Sequence, residues 1–151
     1  MNSKEIKHVR SLIKKQFGAC PELDYNWLKT SERVFILNRE IEQLDTRRMR
    51  INSQGLYFGR LTHGELKLSI EGSQLVGPVA TKNVLDLSDE QFEHWLRGLD
   101  LELLGEENRF VIIKHNDDFF GCGRQIKGKL LNLVPKERRI KVLSPRHSNS
   151  L

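Results

Sequence analysis

Residues 109–142 read RFVIIKHNDDFFGCGRQIKGKLLNLVPKERRIKV, and this stretch decides the fold. Phe110-Val-Ile-Ile113 is a short apolar run rich in β-branched residues, Asn116-Asp-Asp118 is a cluster of turn formers, and Phe119-Phe120, residues 129–134 and residues 139–142 supply further apolar runs between polar breaks. Short runs of this kind, bounded by turn residues, read as strands. Strands so short cannot bury themselves alone, so a small β-barrel or curled sheet is their natural closure.

Toward the N-terminus helices enter. Ser88 with Gln91 three residues later forms a capping box, Asp89 and Glu90 occupy the first turn, and Phe92, Trp95 and Leu96 supply an apolar stripe that Gly98 ends. Residues 84–87 read as a strand, and residues 70–76 as a helical turn halted by Gly77-Pro78. In Glu65-Leu-Lys-Leu-Ser69 the alternation places Leu66 and Leu68 on one face and Lys67 on the other, a half-buried antiparallel strand entered through the turn Thr62-His-Gly64. Residues 48–51 and 55–61 suggest paired strands, residues 39–44 a brief helix with Ile41 and Leu44 inward, and residues 33–37 a buried strand. Ser3 to Phe17 reads as a helix with Ser3 as N-cap, Ile6, Val9, Ile13 and Phe17 at helical spacing and Gly18 as its stop; a loop, ACPELDYN, follows.

The 151 residues suit one compact unit, and 38% hydrophobic with 30% charged residues gives enough apolar side chains to offset chain entropy. No stretch approaches the roughly 18 consecutive apolar residues of a membrane span, and the N-terminus opens into a charged amphipathic pattern, so a cytoplasmic location is expected. The net charge is +5, and its location matters more than its size. From Arg109 onward ten Lys and Arg face only Asp117, Asp118 and Glu137, so this segment carries +7 and the rest of the chain −2.

Chemistry beyond charge is scarce. His63, His94 and His115 sit in no nucleophile signature, no CxxC or HExxH spacing offers metal ligands, and no glycine-rich cofactor loop follows a long buried strand. Cys20 and Cys122 read as structural thiols. Gly121-Cys-Gly123 lacks the third glycine of a dinucleotide fingerprint, and a bulge where a neighbouring backbone comes close is its simpler reading. No catalytic residue, metal or cofactor is therefore expected.

Between Arg124 and Lys141, by contrast, cations interleave with apolar residues, so a packed strand pair could hold the charges on one face while Ile126, Leu131, Leu133 and Ile140 anchor the other. Lysine attracts phosphates at long range, and the arginine fork binds two phosphate oxygens or stacks on a base. A shorter basic run, Arg47-Arg48-Met-Arg50, adds Arg48 and Arg50 as candidate RNA contacts beside Lys141. The reading requires that these cations share one surface and are not neutralised by carboxylates.

The residues Phe119-Phe-Gly-Cys-Gly-Arg124 and Gly128-Lys-Leu-Leu-Asn-Leu-Val-Pro-Lys-Glu-Arg138 resemble the C-terminal PUA-type domain of the Sun family of RNA cytosine-5 methyltransferases, although Leu131 stands where that family has lysine. Gly55-Leu-Tyr-Phe-Gly-Arg60 and Leu66-Lys-Leu-Ser-Ile-Glu-Gly-Ser-Gln-Leu75 resemble the pre-PUA region of that domain and of the ribosome-biogenesis proteins built from pre-PUA followed by PUA. The resemblance implies an α+β fold: an N-terminal α/β pre-PUA region over residues 1–98, with an antiparallel sheet and two or three helices, then a small PUA-like β-barrel over 99–146 and a disordered tail over 147–151. It implies RNA contacts at Gly121, Gly123, Arg124, Lys127, Lys129, Asn132, Lys136, Arg138 and Arg139. Structured RNA, either tRNA or rRNA, is the implied partner of a monomeric, non-catalytic accessory factor in RNA modification or ribosome biogenesis. The alternative is an interaction module whose basic face docks an acidic subunit such as a separate RNA methyltransferase.

Overall fold

A computed structural model of the chain describes residues 1–37 and 55–135. Helix α1 (Ser3–Phe17) leads into strands β1 (Asn26–Thr30), β2 (Arg33–Leu37), β3 (Leu56–Thr62) and β4 (Glu65–Leu68). Helix α2 (Ile70–Val76), a 3-10 turn (Gly77–Val79), β5 (Val84–Asp86) and α3 (Asp89–Leu96) follow, then β6 (Leu101–Glu102), β7 (Arg109–His115), β8 (Asp118–Ile126) and β9 (Lys129–Asn132). The fold is α+β, as expected from the sequence. The anticipated helix at 39–44, the strands at 48–51 and 139–142 and the tail 147–151 lie outside the described residues.

The first sheet is an antiparallel meander in the order β1-β2-β3-β4. Alternation sends Trp27, Val34, Ile36, Phe58, Leu66 and Leu68 inward, where α1 meets them with Val9, Leu12, Ile13 and Phe17. Gln16 of α1 completes the edge of β4: its amide donates to the Leu66 carbonyl at 2.9 Å while its oxygen accepts the Leu66 N–H at 2.6 Å. The true N-cap of α1 is Asn2, one residue before the expected Ser3. Asn2 and Glu5 form the capping box, since the Asn2 side chain reaches the Glu5 N–H at 2.8 Å. The reciprocal bond, from the Asn2 N–H to the Glu5 carboxylate at 3.1 Å, holds that carboxyl below its usual range, with desolvation opposing and Lys29 adding to the lowering.

Strand β1 falls partly on the expected loop. Only Trp27 and Leu28 mark it as apolar, and its pairing with β2 along the whole strand, from Asn26↔Leu37 to Thr30↔Arg33, supplies what local pattern does not. The second sheet runs β5-β7-β8-β9-β6, with β5 parallel to β7 and the other pairs antiparallel. Its core gathers Leu87, Trp95, Leu101, Val111, Ile113, Leu130 and Val134. The β7–β8 and β8–β9 hairpins turn through Asn116-Asp117 and Lys127-Gly128, with positive φ at both central residues, the pattern of type I′ turns.

Helix α2 lies between the two sheets. A Cβ on Gly72 would stand 2.1 Å from the Phe58 carbonyl of β3, so only glycine lets the helix approach that closely. On its other side Ser73 accepts the Gly121 N–H of β8 at 2.7 Å. Ile112 and Cys122 of the second sheet join the first core, so the two layers share a continuous interior.

Candidate nucleic-acid interface

The residues singled out in the sequence fall into three groups. Gly121, Gly123, Arg124 and Asn132 build the interior or its edge; Lys127 and Lys129 stand exposed on the β8–β9 hairpin. Lys136, Arg138, Arg139, Lys141, Arg48 and Arg50 lie outside the described residues.

The two glycines serve packing. Gly121, at φ +92, gives its N–H to Ser73 and would press a Cβ to 3.3 Å from Ile70. A Cβ on Gly123 would lie 2.7 Å from both Leu130 and the Trp95 ring and 3.0 Å from the Leu131 carbonyl. The missing side chain at Gly123 admits a neighbouring backbone and an indole, in keeping with the bulge reading of this GxG.

Asn132 is a clamp. Its amide donates to the carbonyls of Trp95 at 2.7 Å and Leu99 at 3.2 Å, its oxygen accepts the Val134 N–H at 3.0 Å, and its own N–H reaches Asp100 at 2.8 Å. Arg124 is engaged on every side as well: Nη1 meets Glu65 at 3.0 and 3.2 Å, Nε donates to Asn108 at 2.8 Å, and the guanidinium lies 4.6 Å from the centre of the Phe110 ring. Arg109 bonds Gln125 at 2.9 Å, and Lys114 faces Asp117 at 3.7 Å. Much of the described part of the basic surplus is thus tied down internally. The remainder of the surplus lies largely at 136–146.

A cationic row that the sequence reading missed lies on the first sheet. Arg33 of β2 pairs in register with Arg60 of β3, and Arg60 with Lys67 of β4, so three cations stand side by side on the face opposite α1. Directly opposed like charges disfavour strand pairing. Arg60 has a loose partner in Glu32 at 3.7 Å, where both groups are about half exposed and the attraction is weak. No described carboxylate pairs with Arg33 or Lys67, and the Arg33 guanidinium instead lies 5.9 Å from the Tyr57 ring centre.

This row borders a groove of about 490 Å³ between the two sheets, walled by Tyr57, Gly121 and Cys122 and by Leu133, Val134 and Pro135. Beyond Pro135 the chain continues directly into Lys136, Arg138 and Arg139. Burial lifts the Tyr57 phenol above its usual range, with Arg33 and Arg60 pulling the other way, so the ring is neutral at physiological pH. Two arginines, a lysine and a neutral aromatic ring outweigh the one carboxylate of the lining, Glu71, and such a set around an open groove suits phosphates and bases. No local motif marks the row, because its members are separated by 27 and 7 positions and only strand pairing assembles them.

Among the described residues no group of three or more His, Cys, Asp or Glu is placed to hold a metal ion, and no helix is long and apolar enough to cross a membrane. No curated protein matches the chain. Residues 82–140 match the family model described as the methyltransferase RsmF PUA domain, which starts just ahead of β5 and so takes in the whole second sheet together with α3. The sheet order, the Trp95–Gly123 contact and the family match concern one body of chain: residues 82–140 are similar to a PUA-type module of the kind found at the C-terminus of the Sun family of RNA methyltransferases.

Proposed function

We propose that the chain is a non-catalytic RNA-binding accessory protein, acting in the cytoplasm on tRNA or rRNA in RNA modification or ribosome biogenesis. The observation that carries the reading is the row Arg33, Arg60, Lys67 bordering a groove whose far wall belongs to the PUA-type module. RNA laid in that groove touches both sheets, with Lys127 and Lys129 offering further contacts on the module's exposed hairpin. The module is taken to begin near residue 82, since β5 hydrogen-bonds to β7 and α3 packs Trp95 onto β8; residues before it act as the pre-PUA layer.

Fluorescence anisotropy with labelled tRNA and rRNA fragments tests the proposal. Affinity should fall with salt at a log-log slope of roughly −0.7 to −0.9 per neutralised phosphate, and replacing Arg33, Arg60 and Lys67 together by Ala should flatten that slope by about two to three. An unchanged slope in the triple variant would remove the groove from the proposal. Partners captured from lysate after nuclease treatment, and lost in the same variant, would point instead to an acidic protein subunit.

A further inference from the structure

The outer face of the first sheet carries more than charge. Alternation along β2 sends Val34 and Ile36 into the core and leaves Phe35 on the other side, opposite Tyr57 of β3. Their ring centres are 5.5 Å apart at 48°, and both rings are only partly covered. The first core is already filled by Trp27, Phe58 and the α1 side chains, so these two rings are not needed to complete it. They lie instead beside the three cations, with Arg33 across the Tyr57 ring, and Leu56 is 43% exposed next to them.

We infer that Phe35 and Tyr57 form a stacking platform for unpaired bases, so that the RNA bound here presents a single-stranded segment to the first sheet. The inference rests on the RNA-binding reading and narrows its ligand. A double helix keeps its bases stacked inward and offers this face only phosphates, which would leave the rings without a role. Unpaired nucleotides can lay a base on Tyr57 while Arg33, Arg60 and Lys67 follow the backbone. Stacking needs no base-specific hydrogen bond, so the platform is tolerant of sequence.

A second aromatic group shows what such a platform is not. Phe92 stacks on His115 at 4.2 Å and contacts Phe120, but His115 is fixed by the Leu87 carbonyl and Asp89, and Glu90, Glu93 and Asp89 share the adjoining helix. That cluster is flanked by acids and would repel a polyanion.

The test uses the full chain, a fluorescein-labelled twelve-nucleotide oligouridine and a twelve-base-pair RNA duplex. The wild-type protein should bind the single strand more tightly than the duplex. Tyr57→Ala should weaken binding of the single strand roughly tenfold, within the range for loss of one stacked base, and leave the duplex unchanged, whereas Tyr57→Phe should retain wild-type binding. Circular dichroism verifies folding, and Tyr57→Leu replaces Tyr57→Ala if the alanine variant does not fold. Wild-type binding by the ring-less variant, or a preference for duplex, would overturn the platform. If the platform fails while the Arg33/Arg60/Lys67 variant still loses both ligands, the broader RNA reading stands; if neither set of variants changes binding, both fall.

Discussion

Arg124 of β8 and Glu65 of β4 fasten the two sheets together, with Nη1 at 3.0 Å from one carboxylate oxygen and 3.2 Å from the other. The arginine side chain is 20% exposed and the glutamate 35%, so neither is fully hydrated in the absence of its partner. The Arg124 guanidinium is already engaged by Glu65, Asn108 and Phe110.

Arg124→Ala should therefore destabilise the fold by about 1–2 kcal/mol, a figure reduced for the partial exposure of the pair. Glu65→Ala should cost a similar amount, and the double variant less than the two together, because each single change strands the other group. Urea midpoints measure the coupling. RNA affinity of folded Arg124→Ala should change far less than that of the Arg33/Arg60/Lys67 variant.

Gly123→Ala should lower stability by about 1–3 kcal/mol, since its Cβ would meet Leu130, Trp95 and the Leu131 carbonyl at 3.0 Å or less. The loss should appear as a lower urea midpoint with unchanged slope. Should Gly123→Ala weaken RNA binding while stability is unaffected, Gly123 would be a contact residue and not a packing one.

Asn132 distinguishes shape from chemistry. Asn132→Ala removes bonds to Trp95, Leu99 and Val134 in a buried setting and should cost about 2 kcal/mol or more. Asn132→Asp keeps nearly the same volume but turns a carboxylate oxygen toward the Trp95 and Leu99 carbonyls, and should be the worse of the two. Thermal melts of the pair give the order.

Burial pushes the Cys122 thiol up to about 12, with the Leu68 backbone and Lys67 opposing. The thiol is raised above its ordinary value of about 8.5, so the stability it contributes is complete below that pH and is lost as pH rises toward 12. Cys122→Ala should flatten the alkaline decline of the unfolding free energy between about pH 9 and pH 12. At pH 8, thiol reagents should modify Cys122 in the native protein only as fast as it opens, while half-buried Cys20, whose thiol burial raises to a lesser degree, should react first.

Much of the architecture was legible because its signals are local. Alternation in Glu65–Leu68 places Leu66 and Leu68 inward, Ser88 and Gln91 do form a capping box, and the Asn116-Asp117 turn lies between two strands as its composition requires. The strand β1 was missed because its five residues carry little alternation of their own and depend on β2 for pairing. The start of α1 was misplaced by one because both Asn2 and Ser3 are good caps, and only the geometry shows which side chain reaches the Glu5 N–H.

For the binding surface the division is sharper. The sequence by itself determined that residues 109–132 fall into short strands around small residues, that the surplus charge is positive and concentrated late, and that residues 119–138 resemble a PUA-type domain, since composition and motif are properties of neighbouring residues. Tertiary structure alone decided which of the described cations are tied to distant carboxylates and which gather on one face. Glu65 is 59 residues from Arg124 and neutralises it, while Arg33, Arg60 and Lys67 become neighbours through strand register. Electrostatic energy depends on distance in space, and the order of residues along the chain does not contain that distance until the sheets have paired.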